Sequence, residues 1–223
     1  MRDWLGLIVS YVFIFAVIGT SGWLKRRGRL SPAGARSFVH IGVSHWWVIA
    51  MASMSNPWIA SIGPLTFILL NALSLRTGLF AAMEGERRDL GTVLFPVSLL
   101  ILVNLCWRGL LPLYAGGIGV LVMGWGDGLA SVIGRRLGRG ELRLLWARKS
   151  RAGSLAMFLA SWVVVAAFTA LFQPARPLVQ SLMLVPAATA GVAATVELLS
   201  PLGLDNLTVP LLATAFYWVA FII

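Results

Sequence analysis

The stretch Gly126-Asp127-Gly128 places one carboxylate between two glycines inside a strongly apolar part of the chain. Glycine has no side-chain bulk, so a ligand can approach the backbone closely on both sides of the acid. A carboxylate presented in this way at the end of a helix is a suitable ligand for a divalent cation. The pattern therefore predicts a chemical role for Asp127, either as a metal ligand or as the base that accepts a proton.

Polar residues follow Asp127 in the same predicted helix. Ser131 and Arg135 lie at i+4 and i+8, and we expect them on the same helical face, as candidate phosphate ligands. The alternative is an interfacial acid that simply pairs with Arg135 or Arg136. These residues alone fit both interpretations equally well.

A second group lies in residues 148–154 (RKSRAGS), which combine three cations, two hydroxyls and a glycine just before an apolar run. Free backbone N–H groups and the helix dipole both favour anions at a helix N-terminus. The candidate phosphate ligands in this group are Lys149, Ser150, Arg151, Gly153 and Ser154. The alternative is that these cations only anchor a membrane helix on its cytoplasmic side.

Two carboxylates near the C-terminal end form the third group. Glu197 lies near the end of an apolar run, and Asp205 follows in a short connection, so both can converge on one cation or phosphate group. Asn206 and Thr208 can instead cap the next helix. Glu197 lacks such a structural explanation because an acid inside an apolar helix is costly.

Arg36 and His40 stand one helical turn apart, and Glu86 and Arg87 lie in the next charged connection. We regard His40 as a candidate base and the other three as candidate site residues. The alternative for a single histidine at a membrane boundary is a hydrogen-bonded structural role.

The composition indicates which elements must position these residues. Of the 223 residues, 59% are apolar and 12% are charged, and the mean hydropathy is +0.87, far above that of a soluble domain. About 20 apolar residues cross a bilayer as a helix. Eight runs of about that length, with seven as the alternative count, are residues 4–24, 38–55, 57–75, 91–107, 109–126, 153–172, 178–199 and 207–223. We therefore expect an all-α polytopic membrane bundle that forms a single domain over residues 1–223.

The basic residues predict the orientation of this bundle. Connections 25–37, 76–90 and 127–152 hold fifteen of the 18 cations, which places them in the cytoplasm and both termini outside. The first run ends in KRRGR without a small-residue cleavage site, which indicates a retained span. The net charge of +10 then reflects topology and contact with anionic membrane lipids, and we expect no nucleic-acid partner.

The sequence patterns of several enzyme classes are absent from this chain. The chain contains no GxxxxGK[ST], HExxH or GxSxG sequence and no protein-kinase signature. Residues 124–127 match the GxGD of intramembrane aspartyl proteases, but no second aspartate lies inside another predicted span to complete the dyad. Transporters typically have internal repeats and charged residues near the bilayer midplane. The sequence shows neither feature, which argues against this class.

Six elements occur in order from about residue 25 to the C-terminus. They are Arg36-x-x-x-His40, EGERRDLG (84–91), GDGLA (126–130) with Gly134-Arg135, KSRAGS (149–154), Glu197 and DNLTVP (205–210). In this order they resemble the polyprenol kinase family, which includes phytol kinases, dolichol kinases and CTP-dependent diacylglycerol kinases. A more remote similarity connects these enzymes with phosphatidate cytidylyltransferases.

The resemblance implies an enzyme that uses CTP and Mg²⁺ to phosphorylate a lipid alcohol, such as phytol or a polyprenol, at the cytoplasmic face. It implies that Asp127, Glu197 and Asp205 hold the metal. It implies nucleotide or phosphate ligands at Arg36, Gly126, Gly128, Ser131, Arg135, Lys149, Ser150, Arg151, Gly153, Ser154 and Asn206. CTP-dependent diacylglycerol phosphorylation and CDP-lipid synthesis are the alternatives. The family often has Arg-Lys before the histidine, whereas Ser37 follows Arg36 here, and dolichol kinases carry extra spans; both departures favour the phytol kinase type.

Overall fold

A computed structural model describes residues 1–77, 90–138, 141–143, 148–173 and 177–222. The helices are α1 (Arg2–Arg26), α2 (Pro32–Ser44), α3 (Trp46–Ser53), α4 (Pro57–Thr77), α5 (Gly91–Trp107), α6 (Leu113–Leu121), α7 (Gly128–Leu137), α8 (Arg151–Phe172), α9 (Val185–Leu199) and α10 (Asp205–Ile222). Two π-helical segments, Val122–Asp127 and Gln180–Leu184, precede α7 and α9. Two short strands, β1 (Glu141–Arg143) and β2 (Arg148–Ser150), pair in antiparallel fashion.

Five helices in the described part of the chain are long and apolar enough to cross a membrane. They are Arg2–Arg26, Pro57–Leu75, Leu113–Leu137, Arg151–Phe172 and Gln180–Leu199, and Gly91–Trp107 is a shorter apolar helix. The other two predicted spans correspond to α2 with α3 and to α10. The expected all-α membrane bundle is confirmed, with the β1–β2 hairpin as a small addition.

The second predicted span is broken in the middle. Helix α2 ends at Ser44, and α3 begins at Trp46. His45 lies at the break, where its Nδ1 is 2.9 Å from the Ile41 carbonyl and its Nε2 accepts a hydrogen bond of 3.3 Å from Trp125 Nε1. Both ring nitrogens of His45 therefore serve the fold.

The expected helix end at Asp127 is wrong. The helix that begins at Leu113 continues through the π-helical segment and ends at Leu137. A π-helical turn keeps the backbone hydrogen-bonded while it adds one residue to the turn, so a glycine-rich stretch can remain helical. Asp127 therefore projects from the interior of a long helix.

Small residues allow the central helices to pack closely. Gly119 of α6 lies against α10, where a Cβ atom would overlap the carbonyl oxygen of Pro210 and the Thr214 hydroxyl. Membrane helices associate by such close contacts because lipid gives little hydrophobic driving force between them. The tight α6–α10 contact holds the start of α10, which carries Asp205, close to the helix that carries Asp127.

We expect Gly119→Ala to lower the free energy of unfolding by about 1–3 kcal/mol, because the neighbouring carbonyl is backbone and cannot move aside. Gly191→Ala in α9 is the matched control, since its Cβ meets nothing within 4 Å. Unfolding by SDS titration in detergent micelles measures both variants. Equal midpoints for the two variants would contradict the proposed contact.

Candidate functional site

Three carboxylates from three different elements meet at one point. Oxygen atoms of Asp127, Glu197 and Asp205 lie within 4.8 Å of one another. Glu197 and Asp205 are buried, with 3% and 7% of their surface exposed, whereas the Asp127 side chain is 27% exposed. The structure therefore brings together the three acids that the sequence analysis predicts as metal ligands, although 78 positions separate the first from the last.

The glycines around Asp127 allow two neighbouring helices to pack closely against its helix. A Cβ on Gly124 or Gly128 would overlap Ser44 or Ile41 of α2, and a Cβ on Gly126 would overlap Met157 of α8. The sequence analysis expected a ligand to approach the backbone at Gly126 and Gly128. In the structure α2 and α8 occupy that space, so these two glycines support Asp127 through helix packing.

A short turn between α9 and α10 brings Glu197 and Asp205 together. Leu202 and Gly203 both have positive φ, which reverses the chain within five residues, and Leu202 is the strained member because it has a side chain. The Ser200 hydroxyl lies 2.9 Å from the Thr208 hydroxyl and joins the two helices across the turn. The sequence analysis placed Asp205 in the connection between two spans. In the structure Asp205 is instead the first residue of α10.

Lys149 supplies the positive charge of the cluster. Its Nζ donates to Glu197 Oε1 and lies 3.4 Å from Asp205 Oδ2. Burial disfavours the charged form of Lys149, but the nearby Glu197 and Asp205 carboxylates outweigh burial and raise its pKa above the usual value of a lysine. The ammonium group therefore stays charged at physiological pH, and its contribution to stability is lost only when the pH rises through this raised pKa.

The hairpin and α8 place Lys149 at the acids. Leu142 of β1 pairs with Lys149 in β2, and Ser150 directly after it caps α8. The Ser150 hydroxyl accepts a 3.0 Å hydrogen bond from the Gly153 N–H, so these two groups complete the helix end. This use differs from the expected phosphate contact at Ser150 and Gly153. Gly153 also packs against Gly134 of α7, which brings α8 close to the helix of Asp127.

Two other predicted phosphate ligands near this helix end have different surroundings. Arg151 is exposed as the first residue of α8. The Ser154 hydroxyl is buried and has no hydrogen-bond partner among the described residues. A buried hydroxyl without a partner costs free energy, which makes Ser154 the stronger candidate for contact with a bound ligand.

The remaining predicted ligands surround the acids. His40 Nε2 lies 3.8 Å from Asp127 Oδ2. Arg135 donates a 2.5 Å hydrogen bond to the Ser131 hydroxyl, as their shared helical face predicts. The Asn206 amide nitrogen lies 3.1 Å from Asp205 Oδ1, so its side chain orients that carboxylate.

The composition of the cluster suits a hard divalent cation. Oxygen ligands at about 2.1 Å from Mg²⁺ stand at most about 4.2 Å apart, so small side-chain movements close a 4.8 Å cluster onto the ion. The Lys149 ammonium already lies between two of the three acids. Asp127, Glu197 and Asp205 therefore form a set of oxygen donors that would suit a divalent cation such as Mg²⁺.

Some predicted residues lie elsewhere, and some site residues were missed. Glu86 and Arg87 lie outside the described residues. Arg36 lines an internal cavity together with His40 and Lys25. The sequence analysis counted Lys25 only as a topology charge, and nothing in its sequence context distinguishes it from its basic neighbours.

Comparison with known proteins finds three relatives, all of them named as phytol kinases or probable phytol kinases. A phytol kinase from Synechocystis sp. is 35% identical over 218 residues, which cover 96% of this chain and 91% of the relative. A probable chloroplastic phytol kinase from Triticum aestivum is 26% identical, and the match covers 77% of this chain and 60% of the relative. A probable chloroplastic phytol kinase 2 from Oryza sativa subsp. japonica is 29% identical, with 84% and 66% covered. No family model and no solved structure matches the chain.

We expect Lys149→Met to lower the free energy of unfolding by about 3–5 kcal/mol, because it leaves buried acids without their cation. Arg136→Met is the matched control, since Arg136 is exposed on α7. Adding Glu197→Gln to the Lys149→Met variant should restore part of the loss by removing one uncompensated charge. SDS unfolding midpoints measure all three variants, and a Lys149→Met midpoint equal to the control would refute this role of the ion pair.

Proposed function

Because the chain belongs to the phytol and polyprenol kinase family, and is therefore a phosphotransferase with an alcohol acceptor, we propose that it transfers the γ-phosphoryl group of CTP to an isoprenoid alcohol. The observation that carries the proposal is the meeting of Asp127, Glu197, Asp205 and Lys149 in one cluster. Three acids and a lysine at a partly buried boundary are the groups that phosphoryl transfer needs.

The cluster provides positioning and charge. Phosphoryl transfer requires little covalent chemistry from the protein, so catalysis depends on holding the polyphosphate in line with the acceptor oxygen. Asp127, Glu197 and Asp205 would hold Mg²⁺, which supplies positive charge to the phosphate oxygens when bound. Lys149 is close enough to these acids to exchange a carboxylate for a phosphate oxygen, and Ser154 and Arg151 lie within the next turn of the chain.

The acceptor hydroxyl must lose a proton during the reaction. His40 Nε2 and Asp127 Oδ2 are 3.8 Å apart, so His40 can take the proton while the Asp127 carboxylate stabilises the imidazolium that forms. We propose this pair as the general base of the site. The bond from the acceptor oxygen to phosphorus forms as the bond from phosphorus to CDP breaks, and the proton passes to the pair.

We propose that the reaction takes place at the cytoplasmic face. The hydrocarbon tail of the acceptor remains in the bilayer while its hydroxyl reaches the headgroup level, and the nucleotide arrives from the water phase. The boundary between the two is the layer that both substrates reach. Fifteen of the 18 cations lie in connections 25–37, 76–90 and 127–152, one of which carries Lys149. Because cytoplasmic connections are enriched in basic residues, this distribution supports the cytoplasmic side.

We expect Asp127→Asn to reduce phosphorylation at least about 100-fold, because the change removes both a metal ligand and a partner of His40. Asp3→Asn is the matched control, since Asp3 accepts a 2.8 Å hydrogen bond from the Asn56 N–H, far along the chain from the cluster. The initial rate of lipid phosphorylation in purified protein measures both variants. Near-normal turnover by Asp127→Asn would remove Asp127 from the mechanism.

A comparison of two labelled nucleotides tests the donor and the reaction class. With Mg²⁺ and an isoprenoid alcohol, CTP labelled at the γ-phosphate should label the lipid, and CTP labelled at the α-phosphate should not. A cytidylyltransferase instead transfers the CMP group to a lipid phosphate, so with phosphatidate in place of the alcohol it would give label from the α-phosphate and none from the γ-phosphate. Chromatography of the lipid extract measures the label, and the same assay with ATP in place of CTP tests the choice of nucleotide.

A further inference from the structure

The Lys149 ammonium group lies where a cation shared by two of the acids would have to bind. Its Nζ donates to Glu197 Oε1 and lies 3.4 Å from Asp205 Oδ2. A Mg²⁺ ion bound to the same two oxygens at about 2.1 Å would stand no farther than about 4 Å from this nitrogen. Positive charges at that distance repel each other strongly between buried groups, because little water screens them. The ammonium group and a divalent cation therefore compete for Glu197 and Asp205.

The formal charges of the cluster favour the divalent cation in this competition. Lys149 compensates one of the three carboxylate charges of Asp127, Glu197 and Asp205. A divalent cation in its place would compensate two of them. Buried carboxylates are costly when their charge is not compensated, so the exchange lowers the free energy of the acids. It raises that of the displaced ammonium group unless this group finds another anion.

Lys149 can leave the acids without the movement of a helix. Its charged group stands at the end of a flexible four-carbon stem, and 25% of its side chain is exposed. Among the described residues, Lys149 forms ion pairs with Glu197 and Asp205 but not with Asp127, which is the most exposed of the three acids. A cation from the water phase can thus meet Asp127 first and reach the other two acids as the Lys149 side chain turns away.

The beginning of α8 can supply a new partner for the displaced group when a polyphosphate is bound. Lys149 directly precedes Ser150, the N-cap of this 22-residue helix. Backbone N–H groups and the helix dipole favour an anion at such an end. The Ser154 hydroxyl in the first turn is buried and has no hydrogen-bond partner among the described residues. A phosphate held at this helix end would lie within reach of the Lys149 ammonium group.

We propose that Lys149 competes with the divalent cation for Glu197 and Asp205, and that it changes partner from these acids to a nucleotide phosphate as the cation binds. The inference rests on the proposed function and assigns Lys149 as the residue that couples the two ligands. A cation alone must displace the ammonium group and binds weakly. A phosphate that accepts this group makes cation binding tighter, and by linkage the cation tightens nucleotide binding to the same extent.

Binding of Mn²⁺ without nucleotide tests the competition independently of turnover. Electron paramagnetic resonance of free Mn²⁺ gives the affinity of the purified protein in detergent micelles. We expect Lys149→Met to bind Mn²⁺ at least about tenfold more tightly than the wild type, because no positive charge then competes for the acids. Lys149→Arg keeps the charge and should bind as weakly as the wild type. Arg136→Met removes an exposed cation of α7 and is the matched control, with unchanged affinity.

The opposite result identifies a lysine that only holds the acids together. Unchanged or weaker Mn²⁺ binding by folded Lys149→Met overturns the inference, because removal of a purely structural cation would let the acids move apart. Absence of Mn²⁺ binding in the wild type and in all three variants overturns the metal site on which the proposed function depends. Failure of the wild type to label a lipid alcohol from γ-labelled CTP overturns the proposed function and leaves the Mn²⁺ affinities to decide the competition.

A measurement on the wild type keeps the test decisive if Lys149→Met does not fold. The chain has two lysines, Lys25 and Lys149, so mass spectrometry can follow the acetylation of each by acetic anhydride. We expect excess Mg²⁺ to speed the acetylation of Lys149 at least about fivefold relative to KCl of equal ionic strength, because the cation shifts the side chain to its released position. Addition of CTP should slow it again, and Lys25 is the internal control. Equal rates for Lys149 throughout a Mg²⁺ titration overturn the inference.

Discussion

The burial of Glu197 and Asp205 beside Lys149 is the interaction on which the site depends. Two carboxylates at a membrane boundary are costly to remove from water, and a cation in direct contact offsets that cost. Because Lys149 comes from the hairpin and the acids come from α9 and α10, the pair also joins distant parts of the chain. Asp127 adds a third carboxylate and gives the cluster a net negative charge, which a bound divalent cation would neutralise.

Helix packing serves this cluster at several points. Gly124 and Gly128 admit α2, Gly126 admits α8, and Gly119 admits α10. Each close approach moves a helix with a site residue toward the same centre, since α2 carries His40, α8 follows Lys149 and α10 begins with Asp205. The glycines near Asp127 are therefore best understood as packing residues that permit a polar site inside an apolar bundle.

The sequence alone was sufficient to predict the helical membrane class, most helix positions and the three acids that meet. Charged groups inside apolar runs have few structural explanations, so Glu197 was a strong signal. The break at His45 and the continuous helix through Asp127 could not be predicted, because glycine and histidine in an apolar run fit both a helix and its end. The cavity was also missed, since its walls combine residues from six helices that are distant in sequence and no local pattern marks them.

The hairpin gives the site a property that a purely helical bundle would lack. Lys149 lies on a strand of three residues whose ladder partner is another strand of three residues, so the ion pair with Glu197 and Asp205 contributes more than the strand pairing to holding the ammonium group in place. Opening of the hairpin would withdraw the ammonium group from Glu197 and Asp205 without separating α9 from α10. The charge balance at the acids therefore depends on a segment that lies outside the helices that carry them.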